Sequence, residues 1–281
     1  MDGARRGEHD RAGRSGDLAI RIVSAMFLAP LAIGAAYVGG RPFVLFCSVA
    51  AVAIWWEWAT LSAGREAWSL VATGAGALIA AAVFVLAGWI GTAIACLLGG
   101  ALLVAVLAPS GWWVGAGILY GGTMLVAPVV LRSDPDYGFV SILFLFAVVW
   151  STDIVAYFAG RALGGPKLAP QISPNKTWSG AFGGGLGAVI AAAAIAAAAA
   201  LGDRTMMALV GLCLSVAAQA GDLFESALKR WYGVKDASSL IPGHGGVMDR
   251  LDGFIAAALV AALVGVLRGG PEAPARGLLV W

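Results

Sequence analysis

The chain has 281 residues, is 60% hydrophobic and only 12% charged, and carries a formal net charge of +2. Its mean hydropathy is +0.87. A soluble domain is nearer about 45–50% apolar, so these values exclude a water-soluble globular enzyme. The net charge by itself says little; its placement along the chain says more.

The N-terminal tail, residues 1–17, mixes Arg5, Arg6, Arg11 and Arg14 with Asp2, Glu8, Asp10 and Asp17. That even mixture reads as a solvated leader and not as a nucleic-acid arm, so no nucleic-acid partner is expected. Beyond it, apolar runs near 20 residues recur and alternating strand patterns do not, which predicts an all-α polytopic integral membrane protein. About nine spans are expected: roughly 18–38, 43–62, 68–87, 90–107, 112–131, 139–160, 179–201, 206–230 and 250–268. The third and fourth are divided only by Gly88 and Trp89. The first is too long for the apolar core of a signal peptide, and further spans follow at once.

With the N-terminus in the cytoplasm, nine spans leave thirteen of the 18 Lys and Arg on the inner side. Arg41, Arg132, Arg204, Arg268 and Arg276 fall outside. This asymmetry follows the positive-inside rule and turns the polar loops to the cytoplasm, where nucleotides are. Cys47, Cys96 and Cys213 stand alone in apolar segments without paired spacing, and read as small buried hydrophobes.

Residues 18–131 read as a transmembrane scaffold. Glu57, within Trp55-Trp56-Glu57-Trp58, lies about one turn from a cytoplasmic helix end, where it can snorkel or pair. Tryptophan clusters of this kind mark a bilayer interface. Residues 71–131 hold no charge inside the membrane and suit a scaffold or oligomer surface.

Residues 132–268 carry the polar chemistry, with cytoplasmic loops at 161–178 and 231–249 and a C-terminal tail at 269–281. Asp153 lies within the sixth span, with Tyr157 and Gly160 on the same face at i+4 and i+7. The loop after it is broken by Gly164, Gly165, Pro166, Pro170 and Pro174 and is expected to be turn-rich, not helical. The seventh span opens with Gly180, Gly183, Gly184 and Gly187, spacing that close helix packing explains without a ligand. At the end of the eighth span Asp222, Ser226 and Lys229 form one stripe, with Glu225 beside it. Pairing of Lys229 with Asp222 or Glu225 would account for one carboxylate and leave the other unexplained.

The following loop holds Lys235, Asp236 and Pro242-Gly243-His244-Gly245-Gly246, whose glycines let main-chain N–H groups approach an anion. Asp249 and Asp252 then stand on the first turn of the ninth span. The helix dipole explains one carboxylate there as a cap. Two carboxylates facing the Asp222 stripe look like a site for Mg²⁺, which binds through few carboxylates together with substrate phosphates. Nearby Lys and Arg supply counter-charge to those phosphates. Carboxylates, basic residues and glycine-rich backbone together point to phosphoryl or nucleotidyl transfer. His244 suits a phosphate donor or a proton shuttle.

The pattern S-x-x-K-R-x4-K-D…P-x-H-G-G-x-x-D-R-x-D across residues 226–252 resembles the signature of the phosphatidate cytidylyltransferases, the CDP-diacylglycerol synthases. Every fixed position of that signature is filled. The segment Asp153 to Arg161, then Lys167-Leu-Ala-Pro170 and Ser173-Pro174-Asn175-Lys176-Thr177-Trp178, resemble other parts of the same family. Where Ser179 stands the family often has an acidic or amide residue, so no role is carried to it.

The resemblance implies that CTP and phosphatidic acid react to CDP-diacylglycerol and pyrophosphate, in a homodimer in a bacterial-type inner membrane. It also implies a divalent metal, Mg²⁺, with a second cation allowed. The site residues expected on this basis are Asp222, Ser226, Lys229, Asp249 and Asp252 as catalytic groups, with Asp222 and Asp249 the first choice for metal and Asp252 and Glu225 behind them. Lys229, Arg230, Lys235 and Arg250 are expected to hold phosphates, with Asp236, His244, Gly245 and Gly246 around the substrate. Ser173, Lys176 and Thr177 form a second wall. The alternatives are a CTP-dependent lipid-alcohol kinase or a cytidylyltransferase for another lipid phosphate. A transporter is a further alternative, but no internal repeat is visible and the polar residues crowd one face.

Overall fold

In hydrocarbon the main chain must satisfy its own hydrogen bonds, so long apolar runs become helices. The computed structural model describes residues 26–64, 67–108, 111–241 and 245–281. The N-terminal tail, the start of the first expected span, Arg65 and His244 lie outside the described residues. The helices are α1 (Met26–Val38), then α2 (Gly40–Ala63), α3 (Trp68–Leu86), α4 (Ile90–Leu107), α5 (Trp112–Arg132) and α6 (Gly138–Leu163). After a hairpin come α7 (Trp178–Ala198), α8 (Arg204–Trp231), α9 (Met248–Gly269) and α10 (Pro274–Leu279). Among the described residues, the 8 helices from α2 to α9 are long and apolar enough to cross a membrane, and α1 is the described part of the first expected span. The protein is thus an all-α polytopic membrane protein, with observed helix ends within a few residues of the expected ones.

The loop expected at 161–178 is not helical, but it is more ordered than a run of turns. Strand β1 (Lys167–Ala169) pairs antiparallel with β2 (Ser173–Thr177), Lys167 opposite Thr177 and Ala169 opposite Ser173. Pro170 falls in the connection, where its missing N–H costs no ladder bond.

Two of the three tryptophans of α2 are core residues, and the third, Trp56, is partly buried. Trp55 and Trp58 are 0% and 2% exposed. Their indole N–H groups donate to the carbonyls of Val71 on α3 (2.9 Å) and Trp113 on α5 (3.1 Å). Gly74 and Gly117 leave the space the two rings occupy. A buried indole is stable once its N–H has a partner. Trp58 also touches Trp113, Tyr120 and Phe224, which joins the scaffold to α8.

Helices α6 and α7 meet backbone to backbone, as the glycine spacing of α7 requires. A Cβ at Gly180 would lie 2.9 Å from the Ala156 carbonyl oxygen, and one at Gly184 2.9 Å from that of Thr152. At the end of the bundle away from the hairpin, arginines satisfy helix-terminal carbonyls. Arg132 donates to Ala36 (2.5 Å) and Tyr37 (3.0 Å). Arg276 on α10 pairs with Asp134 (3.0 Å) and Asp136 (2.6 Å) in the α5–α6 turn. The segment expected as a C-terminal tail therefore contains a short helix docked on the bundle, with Ala275, Leu278 and Leu279 fully buried.

Candidate active site

The site begins where α8 and α9 approach. A Cβ on Gly221 would come within 2.6 Å of the Asp252 carbonyl, and one on Gly253 within 3.1 Å of the Ala218 carbonyl. The missing side chains let the two backbones close, which sets the adjoining Asp222 and Asp252 side by side. Both open into a cavity of about 910 Å³ at the hairpin end of the bundle. Its walls are Asp153 and Tyr157 of α6, Asn175, Lys176 and Thr177 of β2, Gln219, Glu225 and Lys229 of α8, and Asp249 and Arg250 of α9. Thr152 forms part of the floor, its hydroxyl bonded to Ser215 (2.9 Å), which accepts from Gln219 (3.2 Å).

The charges fall into two groups. Toward the cavity, Lys176 makes an ion pair with Asp222, and both side chains remain partly open. Ser226 donates to the same carboxylate at 3.4 Å, one turn further along α8. Asp153, Asp222 and Asp252 stand near enough to repel one another electrostatically, with Lys176 as counter-charge. Beneath them, the Lys229 ammonium sits between Glu225 (2.7 Å) and Asp249 (2.6 Å), with Glu225 1% and Asp249 6% exposed. The i, i+4 pair weighed from sequence is Glu225 with Lys229; Asp222 finds its partner on the hairpin instead.

Asp249 also ties down the glycine loop. Its carboxylate accepts the main-chain N–H groups of Gly246 (2.7 Å) and Ala237 (3.1 Å), as an acid in the first turn of a helix does when it reaches back toward the cap. Ile241 and Gly245 exchange main-chain hydrogen bonds of 2.8 and 3.1 Å, closing the loop on itself. Thr177 caps α7, accepting from the Gly180 N–H at 3.1 Å, and Ser179 bonds to Thr177 and to the Gly164 carbonyl.

Of the residues expected from sequence, Asp222, Lys229, Asp249, Asp252, Lys176, Thr177 and Arg250 line the cavity. Ser226 lies behind Asp222. Ser173 opens β2, and Arg230 ties the hairpin to the α8 exit through Ile172 O (3.4 Å) and Val234 O (2.9 Å). Lys235 and Asp236 are exposed on the loop after α8, and Gly245 and Gly246 stand at its far end. His244 lies outside the described residues. Thr152, Asn175 and Gln219 were not singled out from sequence. Gln219 had a signal: it is an amide inside an apolar run, one turn before Asp222.

Among the described residues, no three of His, Cys, Asp or Glu converge as a ready-made metal cage. Mg²⁺ needs none, because it binds through one or two carboxylates and completes its shell with water and substrate phosphates.

A bundle of membrane-spanning helices with a charged cavity at one end, walled by carboxylates and ammonium groups, defines a membrane-embedded enzyme acting on an anionic substrate. Residues 19–267 match the cytidylyltransferase family, and the chain belongs to that family. It is 43% identical over 268 residues to the phosphatidate cytidylyltransferase of Brucella suis, covering 92% of this chain and 97% of that one. It is 38% identical over 257 residues to that of Pseudomonas aeruginosa, covering 86% and 94%. Over 128 residues it is 46% identical to that of Bacillus subtilis, covering 45% of this chain and 48% of that one.

Proposed function

We infer that this protein transfers the cytidylyl group of CTP to phosphatidic acid, giving CDP-diacylglycerol and pyrophosphate. The observation that carries this reading is the cavity itself. Lys176, Lys229 and Arg250 gather around Asp222, Asp249 and Asp252 at one end of the bundle, in a chain whose relatives carry that enzyme's name. Two phosphate-bearing substrates can stand side by side only where positive charge offsets their repulsion, which is strong at low dielectric.

The lipid phosphate is the nucleophile. A phosphate monoester loses its second proton near a pKa of about 6, so at neutral pH it attacks without a strong base. One of its oxygens bonds to the α-phosphorus of CTP while the α–β bridging P–O bond breaks, and pyrophosphate leaves with that electron pair. The chain's task is then to align the two phosphates and neutralise the charge that gathers on the leaving group. Lys176 and Arg250 line the cavity and suit this purpose. Lys229 holds Asp249 and Glu225 in register from below.

We propose Mg²⁺ as the cofactor, held by Asp222 and Asp249. When bound, it would supply Lewis-acid charge that offsets the negative charge of the reacting phosphates. Carboxylate oxygens beside an open polar cavity are the donor set that a hard divalent cation selects. We further propose that the protein lies in the inner membrane with the cavity facing the cytoplasm, an orientation supported by the basic asymmetry of the loops, and that it works as a homodimer, as the family resemblance implies.

The test is purified protein with CTP and phosphatidic acid in mixed micelles. Pyrophosphate release that requires both substrates supports the reading; release unaffected by omitting the lipid contradicts it.

A further inference from the structure

Glu57 is the one acidic residue described in α1 to α5, and it does not snorkel. It is fully buried, and it crosses from α2 to the N-terminus of α9. Its Oε1 accepts from the Ser238 hydroxyl (2.6 Å) and the Val247 N–H (2.8 Å), and its Oε2 accepts from the Met248 N–H (2.6 Å). These three donors are neutral, and two of them are N-terminal amides of α9, where the helix dipole favours an anion. The helix has no side-chain cap of its own, since the cap position is Val247. Glu57 supplies that cap from 190 residues away.

Its donors interleave with those of Asp249. Asp249 takes the N–H of Ala237 and of Gly246; Glu57 takes the next residue in each case, Ser238 and Val247. Two carboxylates, one from the scaffold and one from the site, therefore clamp both ends of the glycine loop. Gly246 lies between them: a Cβ there would come within 2.7 Å of Glu57 Oε1 and 2.9 Å of Asp249 Oδ2. The glycine leaves both carboxylates room on one short stretch of backbone.

We propose that Glu57 is a positioning residue for the reaction. It does not line the cavity. It sets the first turn of α9, and through the shared loop it fixes where Asp249 and Arg250 stand. This inference rests on the transferase reading and names a residue through which the scaffold helices act on the site.

The experiment compares Glu57→Gln, Asp249→Asn and the double variant with wild type, measuring kcat and KM for CTP and phosphatidic acid together with thermal unfolding. Gln keeps the shape of the side chain but turns one N–H₂ toward a donor. Glu57→Gln is expected to lower kcat about ten-fold with KM for CTP within about two-fold. If it acts through Asp249, adding it to Asp249→Asn lowers kcat by no more than about two-fold further. Arg276→Ala, at the far end, serves as a control that loses thermal stability and retains kcat.

The proposal is overturned if Glu57→Gln behaves like that control, or if the two kcat losses multiply. Should Glu57→Gln not fold, Ser238→Ala removes one donor outside the membrane span and leaves the two main-chain bonds. It is expected to lower kcat about three-fold with the same lack of additivity to Asp249→Asn, and unchanged kcat counts against the proposal. Wild-type protein that produces no lipid-linked cytidylyl product would instead sink the transferase reading, and the two failures are distinct.

Discussion

Lys176 of β2 pairs with Asp222 of α8, and this contact fastens the hairpin over the cavity. Both side chains stay partly open, at 28% and 35% exposed, whereas the Lys229 ammonium below is only 12% exposed. The two lysines therefore answer differently to truncation. Lys176→Ala is expected to lower activity with little change in unfolding temperature, because a solvated ion pair contributes roughly 0–1 kcal/mol. Lys229→Ala leaves two buried carboxylates without their counter-charge and is expected to lose about 3–5 kcal/mol of stability as well as activity. Unfolding midpoints and turnover measured on the same preparations separate the two, and equal midpoints would contradict this assignment.

The two carboxylates proposed for the metal also differ. Asp222→Asn removes charge from the cavity wall and is expected to cut turnover by about 10²-fold in a folded protein, the scale of losing a preorganised electrostatic partner. Asp249→Asn should cut turnover comparably and also loosen the loop, since Asp249 carries Gly246, Ala237 and Lys229. Limited proteolysis after α8 would then rise for Asp249→Asn alone. Near-normal turnover of both variants at saturating Mg²⁺ would remove the metal assignment.

Asp134 at the opposite end makes a prediction for stability against pH. Burial alone would raise its pKa. The N–H groups of Tyr137 and Asp136 and the Arg276 guanidinium outweigh that and hold it below the usual carboxylate value. A group depressed in the folded state adds stability above its unfolded pKa, about 3.9, and loses it as pH falls through the folded value. Asp134→Asn should therefore unfold at lower temperature than wild type at pH 7, with the gap closing below about pH 4. Turnover at pH 7 should not change. A gap that persists in acid would mean that the carboxylate charge is not what holds α10.

Much of this arrangement was legible in the sequence, and the exceptions share a cause. Hydropathy separates hydrocarbon from water, so the spans and the polar end of α8 stood out. The stripe of Asp222, Ser226 and Lys229 followed from helical period alone. Hydropathy says nothing of which helix faces which, so the packing of Trp55 and Trp58 against glycines of α3 and α5 had no local sign. For the same reason the partner of Glu57, 191 residues away at Met248, had no local sign. The pairing of β1 with β2 was obscured because three- and five-residue strands around Pro170 are too short for an alternating pattern to register.

Orientation is tested by cysteine labelling in intact cells, after replacing Cys47, Cys96 and Cys213. Cysteines at Ala162, in the last turn of α6, and at Ser239, on the loop after α8, should react only from the cytoplasmic side, and one at Glu272 only from outside. Opposite sidedness for Ala162 and Ser239 would break the single cavity, because Lys176 could not then reach Asp222.

The most direct measurement follows the label in CTP. Attack of a lipid phosphate on the α-phosphorus carries that phosphorus into the lipid and releases β and γ as pyrophosphate. With phosphatidic acid present, α-labelled CTP is therefore expected to give labelled lipid, and γ-labelled CTP is expected to give labelled pyrophosphate and unlabelled lipid. Lipid labelled from the γ-position, with CDP released, would show phosphoryl transfer of the kinase type and contradict the cytidylyltransferase reading.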